Sequence, residues 1–229
     1  MKYDIVILRR DRNSEKSYFE SFEYTSQTPS DTVATALNYL NSTGIPDRKI
    51  EWECSCLQKK CGACAMVICG KPMLACDAVL SGLKGKSITI EPLKKFPIVC
   101  DLVVDRSILY DNLKKLKLWL KEDALQGDSY ADLVFEASGC LQCGCCLEIC
   151  PNFYSGGNFF GMSAVPITMR LLSESDKKDY KEIARLYSRH IFEGCGKSLS
   201  CKNVCPKGID TQELLVNANA LAVWKRKKK

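Results

Sequence analysis

Fifteen cysteines fall within 229 residues, and most of them sit in three short runs. The first is Cys56-Leu57-Gln58-Lys59-Lys60-Cys61-Gly62-Ala63-Cys64, with Cys76 beyond it. The second is Cys140-Leu141-Gln142-Cys143-Gly144-Cys145-Cys146-Leu147-Glu148-Ile149-Cys150-Pro151. The third is Cys195-Gly196-Lys197-Ser198-Leu199-Ser200-Cys201-Lys202-Asn203-Val204-Cys205-Pro206. An odd count fits a disulfide framework poorly. The N-terminus, Met1-Lys2-Tyr3-Asp4-Ile5, has no basic stretch followed by an apolar leader, which points to the cytosol. In a reducing compartment such thiols serve as metal ligands or redox groups.

The C-x4-C-x2-C...C spacing of the first run assigns Cys56, Cys61, Cys64 and Cys76 to a [2Fe-2S] cluster. Gly62, Ala63 and Ala65 are small enough for backbone N–H groups to approach the sulfurs. A zinc knuckle, the competing reading, would place two short pairs instead. The second run contains C-x2-C-x2-C-x3-C-P in full, a pattern whose last cysteine ligates the other cluster of a pair. A partner run is therefore required. The third run supplies it, with Ser198 where its second cysteine belongs. Exchanging the final cysteines gives Cys140, Cys143, Cys146 and Cys205 to a [4Fe-4S] cluster, and Cys150, Cys195 and Cys201 to a [3Fe-4S] cluster short of the iron that Ser198 would face. Cys54, Cys69 and Cys100 are read as packing thiols, and Cys145 as a buried neighbour that fits its loop. His190, the only histidine, is read as a partly exposed side chain outside the ligand sets. No residue is a candidate acid, base or nucleophile.

The surroundings of these runs predict an α+β chain in two domains, 1–100 and 101–229. Residues 3–9 and 17–25 alternate as strands around the turn Asp11-Arg12-Asn13-Ser14, and Ser30 or Asp31 caps a helix through about Leu40 that Asn41-Ser42-Thr43-Gly44 ends. Ile50–Glu53 and Ser87–Glu91 read as further strands, with a turn at Gly70-Lys71-Pro72. From about residue 105 the period becomes helical. Ile108, Leu109, Leu113, Leu116 and Leu120 share a face, and 163–174, 177–191 and 210–224 also read as helices. The uncharged stretch Ile149–Met169 is broken by Pro151, Pro166 and three glycines, so it is no membrane span. The formal charge of +6 owes much to Lys225-Arg226-Lys227-Lys228-Lys229, read as a solvated tail; no aromatics interleave with it, so nucleic-acid binding gains no support.

Taken together, the three runs resemble the iron-sulfur subunit of succinate dehydrogenase and fumarate reductase over nearly the whole chain. The resemblance extends to Cys64-Ala65-Met66, Met73-Leu74-Ala75-Cys76, Phe96-Pro97-Ile98, Asp101-Leu102-Val103-Val104-Asp105 and Cys205-Pro206-Lys207-Gly208. It implies a plant-type ferredoxin-like β-grasp domain followed by a helical bacterial-ferredoxin-like domain. It also implies an electron relay between an FAD-bearing flavoprotein subunit, where succinate and fumarate interconvert, and a quinone. Membrane-anchor subunits, with or without haem, are the implied partners, and the cytoplasmic face of the inner membrane the implied location. Ser155 and Gly196 stand where ubiquinone-reducing members carry a tryptophan and a histidine, which favours menaquinone; Lys59 stands where glycine is common. Phe153, Tyr154, Phe159 and Phe160 are candidates to cover the three-iron cluster. The alternative is an iron-sulfur partner of a soluble fumarate or enoate reductase, or of a heterodisulfide-reductase-like complex.

Overall fold

The computed structural model describes residues 1–119, 130–174 and 177–224. Leu120 and the basic run 225–229 lie outside the described residues. The chain divides into two compact units, Met1–Asp105 and Arg106–Lys229.

In the first unit, strands β1 (Lys2–Arg10) and β2 (Ser17–Thr25) form an antiparallel hairpin. β1 points Tyr3, Ile5, Ile7 and Arg9 inward, as the two-residue period of a strand requires. Helix α1 (Val33–Thr43) lays Val33, Ala36, Leu37 and Leu40, all fully buried, against that face. Burial of each such leucine is worth about 1.5–3 kcal/mol. Its cap is Thr32, not Ser30 or Asp31: Thr32 and Thr35 exchange side-chain to backbone bonds as a capping box, and Gly44 ends the helix at φ 68°. Asp31 is instead spent on Tyr24 Oη, the Gln27 N–H and the Thr28 hydroxyl.

Strands β3 (Ala65–Ile68) and β4 (Lys71–Leu74) form a second hairpin, and β5 (Ser87–Glu91) pairs parallel to β1. The sheet order is β2-β1-β5-β3-β4. The tight turn lies at Cys69-Gly70, both at positive φ (47° and 75°); Lys71 and Pro72, expected in the turn, already belong to β4. The strand expected at Ile50–Glu53 does not form. Its backbone groups are taken by side chains and a loop: Asn41 pairs with both N–H and C=O of Ile50, Asp101 accepts from the Glu51 N–H, and the Glu51 carbonyl accepts from the Leu102 N–H. A short ribbon, β6 (Ile98–Cys100) and β7 (Val103–Val104), follows. Residues 101–105 stay with the sheet unit because the N–H of Asp101 donates to the Arg10 carbonyl and its carboxylate accepts from the Arg10 N–H.

The second unit contains α2 (Ser107–Lys115), α3 (Ala131–Ser138), the single turn α4 (Cys145–Glu148), α5 (Val165–Glu174), α6 (Lys177–Tyr187) and α7 (Thr211–Asn219). α3 was not expected from the sequence. The segments expected at 163–174, 177–191 and 210–224 are helical, but each changes pitch. A 3-10 turn at Met162–Ala164 precedes α5, and wider π turns at Ser188–Phe192 and Ala220–Trp224 follow α6 and α7. Val165, Met169, Leu214, Ala218 and Tyr187 form the fully buried centre, where the Tyr187 hydroxyl donates to Asn219 Oδ1 at 2.8 Å.

Candidate iron-sulfur centres

The loop ahead of β3 holds the first run. Leu57, Lys59 and Gly62 take left-handed φ values of 52°, 57° and 76°, winding the chain tightly around Cys56. The N–H groups of Gln58 and Lys60 each donate to Cys56 Sγ at 3.3 Å, and these bonds pull that thiol down to about 7. Cys61 also hydrogen-bonds Cys56, and Cys76 hydrogen-bonds Cys64, so the loop and the end of the β3–β4 hairpin bring all four thiols together. Burial pushes Cys64 up to about 12. Lys59 Nζ reaches Asp77, the residue after Cys76, at 2.8 Å and ties the loop to the fourth thiol's segment.

In the second unit the thiols sort into two clefts. Cys140, Cys143, Cys146 and Cys205 line one, with Met162 and Ser163. Cys150, Cys195 and Cys201 line the other, with Ser198, Phe159 and Met162. Met162, buried, therefore borders both. Cys143 is drawn down to about 7, first by a hydrogen bond from Cys145, while Arg106 donates to its carbonyl at 3.4 Å. Cys145, fully buried, is pushed far above its ordinary value by that same bond and by burial. Burial also raises Cys140, Cys146 and Cys201. A thiol held neutral in this way would have to give up its proton to serve as a metal ligand.

This donor chemistry fits iron-sulfur clusters. In the second unit four thiols line one cleft and three the other, and in the first unit backbone donors reach the sulfur of Cys56, as outer-shell bonds to a ligand would. Cys100 is 1% exposed and Cys145 is fully buried, but Cys54 and Cys69 are exposed and are not packing thiols. Cys69 is there because the hairpin turn projects it outward. His190, half-buried, stacks on Phe160 at 4.4 Å between ring centroids. Of the four aromatics after Cys150, Phe153 and Phe160 are buried and Phe159 lines the Cys150 cleft, whereas Tyr154 is 66% exposed.

Two contributors escaped the sequence reading. Met162 lies in an apolar stretch that marks only core. Asn152 donates from Nδ2 to the Gly194 carbonyl at 2.8 Å, and a Cβ on Gly196 would fall 2.8 Å from the same atom. Asn152 thus fills the space beside Gly196.

Two family profiles match the chain: the 2Fe-2S iron-sulfur cluster binding domain over residues 4–111 and the 4Fe-4S dicluster domain over residues 136–209. The succinate dehydrogenase iron-sulfur subunit of Bacillus subtilis is 35% identical over 220 residues, covering 89% of this chain and 86% of its own. The fumarate reductase iron-sulfur subunit of Escherichia coli O6:H1 is 30% identical over 188 residues, covering 78% and 76%. A chain of the Mycobacterium smegmatis Sdh1 complex shares the fold, with a TM-score of 0.78 over 98% of this chain and 97% of that one, at 23% identity. The alternative of a soluble enoate reductase or heterodisulfide-reductase-like partner is not favoured by these relatives. With two cysteine-rich units, the matched profiles and kinship over most of its length, the chain belongs to the family of succinate dehydrogenase and fumarate reductase iron-sulfur subunits.

Proposed function

We propose that this chain is the electron-transfer subunit of a quinone-linked succinate dehydrogenase or fumarate reductase, with Cys56, Cys61, Cys64 and Cys76 holding [2Fe-2S], Cys140, Cys143, Cys146 and Cys205 holding [4Fe-4S], and Cys150, Cys195 and Cys201 holding [3Fe-4S]. When bound, the clusters supply one-electron steps between FAD on a flavoprotein partner and a quinone. The chain supplies spacing, burial and hydrogen bonds, and no acid or base for the carboxylic acids. The observation that carries this reading is the crossing of the second and third runs: Cys205 of the third lines the cleft of Cys140, Cys143 and Cys146, and Cys150 of the second lines that of Cys195 and Cys201.

Ser198 lines the three-thiol cleft, and its hydroxyl accepts from Ser200 Oγ at 3.2 Å, which supports a position with no iron to face. The Asn152 side chain occupies the space beside Gly196, where a larger residue would have to displace it, which supports menaquinone over a ubiquinone pocket built on a histidine there. Among the described residues no helix is long and apolar enough to cross a membrane; the relatives' membership of succinate dehydrogenase and fumarate reductase complexes supports anchor subunits that dock the chain at the cytoplasmic face of the inner membrane.

The test is Ser198→Cys. The variant gains a fourth iron and loses the oxidised-state paramagnetic signal of a three-iron centre. Persistence of that signal in iron-replete protein overturns the ligand assignment.

A further inference from the structure

Between Cys140 and Cys143 the chain passes through Gln142 at φ 50°. A left-handed backbone is unfavourable for a non-glycine residue, and here the side chain is anchored at both of its amide hydrogens. Gln142 Nε2 lies 3.2 Å from Cys140 Sγ and 2.8 Å from the Ser163 carbonyl oxygen, and donates to both. An amide nitrogen has two hydrogens, and both are used. The orientation is fixed, because flipping the amide would set its oxygen against the Ser163 carbonyl, which can only accept. Ser163 is buried, so the amide is held from a rigid point on the turn before α5. The remaining atom, Oε1, is buried with no hydrogen-bond partner among the described residues. The side chain tolerates an unsatisfied acceptor in order to present its N–H to sulfur.

We propose that Gln142 sets the reduction potential of the four-iron centre through its N–H···S bond to Cys140. The proposal rests on Cys140 being a ligand of that centre. A single electron is taken up and passed on, with no bond made or broken, and the added negative charge spreads onto the ligand sulfurs. A donor aimed at one of them stabilises the reduced form more than the oxidised form and raises the potential. Gln142 is half-buried, so water screens its dipole only in part.

The experiment is a redox titration of the intact complex monitored by electron paramagnetic resonance. Gln142→Met keeps the length and apolar body and removes the donor. It lowers the four-iron midpoint by about tenfold in the reduction equilibrium, or 59 mV for one electron, and leaves the two-iron and three-iron midpoints in place. Gln142→Glu keeps the shape and makes the four-iron midpoint fall with rising pH as its carboxyl ionises. The Gln142 backbone N–H also donates to Cys140, so in D2O pulsed resonance of the parent detects deuterons from both groups coupled to the reduced centre, and Gln142→Met loses only the side-chain amide deuteron. Unchanged midpoints at full iron content, equal shifts at all three centres, or loss of the four-iron signal in both variants overturn the proposal. A full four-iron signal in Cys140→Ala would overturn the ligand assignment instead.

Discussion

Asp101→Ala tests what fastens the β6–β7 corner to the sheet. The Asp101 carboxylate is fully buried. It accepts from the N–H groups of Arg10 (2.9 Å) and Glu51 (3.0 Å) and from both terminal nitrogens of Arg48 (2.6 and 3.1 Å), with the buried Arg9 guanidinium 3.2 Å away. Burial alone would raise its pKa, yet these donors outweigh it and hold the carboxyl below its usual range. Removing one member of a buried charge pair costs about 3–5 kcal/mol, because the partner is left uncompensated. Arg9 retains Glu20, and the Arg48 side chain is 40% exposed, so the expected loss is at the low end, about 3 kcal/mol. With a urea slope near 2 kcal/mol per molar, the unfolding midpoint falls by roughly 1.5 M. The assay is urea unfolding followed by visible circular dichroism of the two-iron chromophore and by far-ultraviolet dichroism. The pH dependence has a definite sign. A carboxyl depressed in the folded state contributes stability above its unfolded pKa of about 3.9 and loses it as pH falls through the folded value. The gap between parent and variant therefore narrows in acid. An unchanged midpoint at pH 7, or a gap that widens on acidification, refutes the reasoning.

Gly161→Ala sets a Cβ into the buried Leu147 at φ 73°; overpacking plus the left-handed penalty costs about 2–5 kcal/mol, and the melting temperature drops by roughly 4–20 °C. Lys59→Gly relieves a left-handed residue worth about 1–2 kcal/mol and forfeits a half-exposed ion pair worth about 0–1 kcal/mol, so cluster loss to a chelator is no faster than in the parent; faster loss contradicts this balance. Asp31 is held below its ordinary pKa chiefly by the Thr28 hydroxyl, then by Tyr24 and the Gln27 N–H, so it stabilises above pH 4 or so and less below. Asp31→Asn is accordingly less stable at pH 7 and shows a flatter acid dependence, as measured by melting temperature against pH.

The sheet strands were legible because period-two patterning and turn residues act locally, as in Lys2–Arg10 and Ser17–Thr25. Ile50–Glu53 misled because its β-like pattern says nothing of Asn41 and Asp101, distant side chains that satisfy its backbone instead. Cys54 and Cys69 misled because buried cysteine is a statistical expectation, whereas Cys69 occupies a turn that needs positive φ and faces outward. The spacing groups the second-unit cysteines as the two clefts do, since a thiol's position along the chain follows from the loop that carries it. Asn152, Met162 and the Gln142 amide were not legible in this way. Their parts depend on which atoms lie opposite them in space, and a linear pattern carries no trace of that.

The parallel pairing of β1 with β5 orders events on the ribosome. Asp4 lies opposite Ser87, and Ile5 opposite Ile88, so β1 leaves the exit tunnel long before its partner exists. At synthesis rates of about 5–20 residues per second the interval is roughly 4–17 s. Through it, the second edge of β1 has no β5 ladder to bond, and Cys56, Cys61, Cys64 and Cys76 all emerge within the same window. The four thiols of the first run are therefore exposed on a sheet that is not yet closed for the rest of that interval.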